Sequence, residues 1–87
     1  METVEDKIAD VLAKSKVSLE IVKICMVPKT VSEIGKELRT IFKGQSIDSH
    51  TLGSFLRSLE KAKALKFDEG KWKATDEAKR VIAKYWL

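Results

Sequence analysis

Apolar residues recur along the chain at two different periods, and the places where the period changes mark out the elements. Val4, Ile8, Val11 and Leu12 stand at helical spacing with charges between them, and Thr3 precedes Glu5 and Asp6 as a helix start requires. The Ser15–Ser18 stretch predicts a break near Lys14. No Gly or Pro forces it, and one stripe through Val4, Ile8, Val11, Ser15, Leu19, Val22 and Met26 would also suit a continuous helix. Ile21, Val22, Ile24 and Cys25 make the next helix apolar on most sides, as a central helix would be, and Pro28 stops it. Thr30-Val31-Ser32-Glu33 reads as a capping box. The helix it starts buries Ile34, Leu38 and either Ile41 or Phe42. Gly35 would let it approach a neighbour, and Gly44 would end it.

From a cap at Ser46 or Asp48, a further helix runs to about Ala64. Leu52, Phe55, Leu56, Leu59 and Ala62 share one face; His50, Ser54, Arg57 and Lys61 share the opposite one. Leu65 to Thr75 then switches to a period of two. A turn at Glu69-Gly70 pairs Asp68 with Lys71, Phe67 with Trp72 and Leu65 with Ala74. The four apolar residues then lie on one face and the lysines on the other, a register that a one-residue slip would destroy. Phe55, Leu59 and Trp72 are expected to be largely buried. Thr75 caps a last helix with the stripe Ala78, Val81, Ile82 and Tyr85.

The fold class is therefore mainly α with a small β hairpin, and the order of its parts is that of a winged helix-turn-helix. At 87 residues the chain reads as one domain: an N-terminal helix over 1–14, a core over 17–75 and a C-terminal helix over 75–87. No repeat or linker interrupts it.

The longest apolar run is Ile24 to Val27, too short to span a bilayer. Glu2, Glu5 and Asp6 stand where a secretory signal would carry positive charge, which predicts a cytoplasmic protein. The single cysteine, Cys25, lies in the most apolar helix and reads as core. The single histidine, His50, has no Cys or carboxylate pair nearby for a zinc site or a triad. Isolated glycines make no phosphate-cradling loop. No enzyme activity, cofactor, metal or small-molecule effector is expected.

Net charge is +4, but residues 1–13 set Glu2, Glu5, Asp6 and Asp10 against Lys7 alone, so the remainder is more basic than the total suggests. A basic body suits a polyanionic partner. The chain has no Asn and is rich in Lys and Glu, a bias reported for hyperthermophile proteins. The outer face of helix 48–64 carries Ser49, His50, Thr51, Gly53, Ser54 and Ser58, short or hydrogen-bonding residues rather than the Glu and Lys found elsewhere. Gly53 and the serines cost helix propensity and permit close approach to a phosphate backbone or a base edge. Placed in the major groove, Arg57 could read guanine or bind phosphate, while His50 and Ser54 could meet bases or phosphates. Lys61 falls nearer the backbone, and the helix N-terminus near Ser49 could receive a phosphate. Lys66, Lys71 and Lys73 on the hairpin would touch backbone.

From Val11 to Thr75 the chain resembles winged-helix regulators of the arsenic-repressor and multiple-antibiotic-resistance type, particularly archaeal ones. The resemblance rests on Leu19-Glu20-Ile21-Val22-Lys23-Ile24, Lys29 to Ile34, Thr51-Leu52 with Leu56 and Leu59 to Ala62, and Ala74 to Glu77. It implies a sequence-specific double-stranded DNA-binding protein, a transcription regulator that reads DNA with the helix matching Asp48–Ala64. Terminal helices often build the dimer in such proteins. Here Val4, Ile8, Val11 and Leu12, with Tyr85-Trp86-Leu87, predict a homodimer made that way. Metal-sensing members carry a cysteine pair, which this chain lacks. Two other classes fit the same pattern: a winged helix that binds protein, and a chromatin or viral accessory protein that coats DNA without sequence preference.

Overall fold

The structure, a computed structural model, describes residues 3–43 and 47–86. Among the described residues, five helices and one antiparallel hairpin follow in the order α1 (Val4–Lys14), α2 (Lys16–Ile24), α3 (Val31–Ile41), α4 (Ser49–Lys61), β1 (Leu65–Asp68), β2 (Lys71–Ala74) and α5 (Asp76–Tyr85). The Gly44 stop and the Ser46 cap lie outside the described residues.

Helix starts follow the short polar residues. Thr3 and Asp6 form a reciprocal capping box at α1, as do Thr30 and Glu33 at α3. Asp6 and Glu33 are each held below their ordinary carboxyl values, chiefly by hydrogen bonds from the threonine they face. Of the two readings for the N-terminal stripe, the broken helix is the one adopted. Ser15 is extended (φ −137°, ψ 110°), and its hydroxyl accepts the Ser18 amide at 3.2 Å. One residue thus ends α1 and starts α2.

The core gathers Ile8 and Leu12 of α1, Ile21 and Val22 of α2, and Ile34 and Leu38 of α3. Leu52, Leu56 and Leu59 of α4 and Val81 and Ile82 of α5 complete it. At the end of α3, Phe42 is half-buried and Ile41 exposed, so Phe42 supplies the last apolar contact. A Cβ built on Gly35 would stand 3.4 Å from Leu52 Cδ2, at ordinary van der Waals distance, so α4 touches α3 there without requiring a glycine. Burial pushes the Cys25 thiol up to about 12, so it packs as a small apolar side chain.

Leu59 is fully buried, while Phe55 and Trp72 are partly buried and pack against the core from its rim. Phe55 lies at the margin of the apolar stripe of α4, and Trp72 in the outer half of the hairpin, where the core covers it only in part. Of the stripe of α1, Ile8 and Leu12 are buried in the chain's own core where α1 packs on α5, Val11 is partly buried and Val4 is exposed. What stays open between these helices is a shallow apolar depression lined by Ala9, Ala13, Tyr85 and Trp86, with Asp10 at its edge.

The hairpin has the anticipated register, from Leu65 opposite Ala74 to Asp68 opposite Lys71. Glu69 (φ 51°) and Gly70 (φ 78°) both occupy the left-handed region, as a tight primed turn requires. On its far side β2 meets the segment between α2 and α3. Lys29 and Trp72 exchange both backbone hydrogen bonds, at 2.9 and 2.7 Å, and the Ala74 amide donates to the Cys25 carbonyl at 2.8 Å.

Leu59 has no exposed surface, so Leu59→Ala should cost roughly 2–5 kcal/mol of unfolding free energy in denaturant titration. A loss below about 1 kcal/mol would mean that α4 presents another face to the core.

Candidate nucleic-acid interface

α4 begins at Asp48, whose side chain accepts the Thr51 amide at 2.7 Å. That hydrogen bond, assisted by the neighbouring His50, holds the Asp48 carboxyl below its ordinary value. The expected phosphate seat near Ser49 is therefore shared with a carboxylate that already satisfies the first turn. An incoming anion would have to bear that charge at close range.

With Leu52, Leu56 and Leu59 turned inward, the periodicity of α4 leaves Ser49, His50, Thr51, Ser54, Arg57, Ser58 and Lys61 exposed and Gly53 half-buried. This surface has two flanks. Ser49, Gly53 and Arg57 border one depression with His50 and Ser54; Thr51, Phe55 and Ser58 border another with the same two residues. His50 and Ser54 thus form a central ridge between a polar flank and a partly apolar one. A Cβ built on Gly53 would meet nothing within 4 Å. Nothing inside the protein requires a glycine there.

The cations of this face are also disengaged. Lys14, Lys23, Lys29, Lys73 and Arg80 each pair with a carboxylate. Among the described residues, Arg57 and Lys61 of this face take part in no such pair, as holds for most lysines of the chain.

A cleft of about 440 Å³ opens beside the first turn of α4, where Val31, Ser32, Gly35 and Arg39 of α3 face Ile47, Asp48, Ser49 and Leu52. Ser32 and Arg39 were not among the expected site residues. Their signal was present in the spacing of Ser32, Gly35 and Arg39 along one side of α3. Reading it required knowing which side of α3 meets α4.

The hairpin lysines form a separate group. Lys66 and Lys73 stand directly opposite each other across the strands and line a depression with Lys79 of α5. Like charges so placed repel. Lys73 finds relief 3.5 Å from Asp68 on the neighbouring strand, while Lys66 and Lys71 are exposed. Inside the hairpin the Phe67 and Trp72 rings lie 4.9 Å apart, and Phe67 keeps 51% of its surface in solvent.

Among the described residues, no group of three or more His, Cys, Asp or Glu side chains could hold a metal ion, and no helix is long and apolar enough to cross a membrane. No known protein family, curated protein or solved structure matches the chain.

Because the space beyond Gly53 is empty, Gly53→Ala should raise stability by about 0.5–1 kcal/mol through helix propensity alone. Thermal and denaturant melts measure this directly. A destabilised variant would mean that the glycine serves the fold.

Proposed function

We propose that the protein is a winged-helix double-stranded DNA-binding protein, a sequence-specific transcription regulator that reads the major groove with α4. The observation that carries this reading is the outer face of α4: short polar side chains and a glycine with open space beyond it, with exposed Arg57 and Lys61 among them. A face built only to be solvated would gain from Ala, Glu and Lys. A face built to approach a polyanion closely would look like this one. The winged-helix reading draws support from the order of α3 and α4, with Leu52 of α4 touching α3 at Gly35, and from the hairpin that follows α4 and pairs back to the segment before α3.

In this arrangement Arg57 and the ridge of His50 and Ser54 meet base edges, while Lys61 meets backbone. Lys66 and Lys71 add phosphate contacts from the hairpin, and Lys73 contributes less because Asp68 occupies it. Arg39 and Ser32, which line the cleft beside the first turn of α4, join the interface there. Arg57→Ala should cost about 1–3 kcal/mol if the guanidinium reads a base, and should flatten the salt slope by about one unit if it meets phosphate. Fluorescence anisotropy on specific and random duplexes across a salt series distinguishes the two. Unchanged affinity in Arg57→Ala, Lys61→Ala with an intact circular-dichroism spectrum would sink the proposal. Steep salt dependence without preference between duplexes would favour DNA coating instead.

The regulator is further proposed to act as a homodimer through α1 and α5. With Ile8 and Leu12 spent on the core, the surface left for a partner is the depression of Ala9, Ala13, Tyr85 and Trp86. Its small residues on α1 would let a second copy approach closely, and Tyr85, 56% exposed, supplies the bulk. A two-fold pair would set two copies of α4 about 34 Å apart, one DNA turn. Sedimentation at micromolar concentration should show a dimer that Tyr85→Glu weakens. A 9.8 kDa species independent of concentration would refute it.

A further inference from the structure

We propose that Thr51 and Phe55 form an apolar notch on one flank of α4 that reads the C5 methyl group of thymine. This inference rests on the DNA-binding reading above and adds a base preference to it.

Phe55 is half-buried: one side packs against the core and the other lines a depression of about 320 Å³ with His50, Thr51, Ser54 and Ser58. Thr51 and Phe55 are four residues apart, so they stack along the helix axis. The Thr51 backbone amide is engaged by Asp48. This holds Thr51 in the first turn, where major-groove helices reach base edges. The opposite flank, with Ser49, Gly53 and Arg57, has no comparable apolar surface.

The two flanks therefore suit different bases. A thymine edge presents a methyl group beside the O4 acceptor. The Phe55 ring and the Thr51 methyl would cover the former, and a hydroxyl of Ser54 or Ser58 could donate to the latter. A cytosine in the same place would press its N4 amino group against the ring and lose a hydrogen-bond partner. Uracil pairs as thymine does and keeps O4, but lacks the methyl. The notch thus discriminates on one carbon.

The experiment begins from the tightest-binding duplex that the full chain selects out of a random duplex pool. Each thymine of that duplex is replaced in turn by deoxyuridine, and affinity is measured for the wild type, Thr51→Ser, Phe55→Ala and Arg57→Ala. At least one replacement should weaken wild-type binding about fourfold, the worth of one buried methyl. At that position the thymine-to-uracil ratio should fall towards one in Thr51→Ser and Phe55→Ala and persist in Arg57→Ala. Thr51→Ser keeps the hydroxyl and removes only the exposed methyl, so it tests the notch even if Phe55→Ala fails to fold. Tight selection with no methyl-sensitive position overturns the notch and leaves DNA reading intact. So does a ratio that survives both notch substitutions. A pool from which nothing is enriched overturns the regulator itself.

Discussion

The two backbone hydrogen bonds between Lys29 and Trp72 hold this molecule's parts in relation to one another. A two-stranded hairpin alone is marginal in water. Here β2 is flanked by β1 on one side and by the segment leading into α3 on the other. The same residues fix where α3 begins, because Thr30, the cap of α3, follows Lys29 directly. Lys29 also reaches Glu37 at 3.2 Å, tying the bridge to the middle of the helix it introduces. This contact therefore ties the hairpin and the start of α3 to each other, with the Ala74 amide on the Cys25 carbonyl as a second tie to the end of α2.

With that frame in place, α4 is oriented by packing. Leu52 touches α3 at Gly35, while Leu56 and Leu59 enter the core. The inward face is thus set by apolar volume, which frees the outward face from any structural duty. Its polarity, its small residues and its disengaged cations form one coherent surface because nothing internal constrains them.

Much of this was legible in the sequence because the decisive interactions are local. The Thr30–Glu33 box, the Glu69-Gly70 turn and the Leu65–Ala74 register depend on residues a few positions apart, and period and turn chemistry identify them. The outward residues of α4 followed from the same periodicity. Whether any of them touches DNA is a property of a second molecule, which no pattern within one chain encodes. The Lys29–Trp72 bridge was not legible: a single residue pair far apart in sequence leaves no periodic trace. The cleft with Arg39 depends on how α3 meets α4. The partial exposure of Phe55 reflects its place at the edge of an apolar stripe, where spacing alone cannot separate core from rim. Lys63 was missed for another reason. It ends α4 in the left-handed region (φ 68°), with the Ala64 amide donating to the Leu59 carbonyl, at a position where glycine is the usual signal.

That helix end is joined to a distant part of the chain. The Thr75 hydroxyl donates to the Lys63 carbonyl at 2.6 Å and also accepts the Ala78 amide that starts α5. One oxygen therefore joins the loop that leaves α4 to the first turn of α5, the helix that packs on α1. Thr75→Val would thus remove the cap of α5 and the anchor of the loop after α4 in a single change.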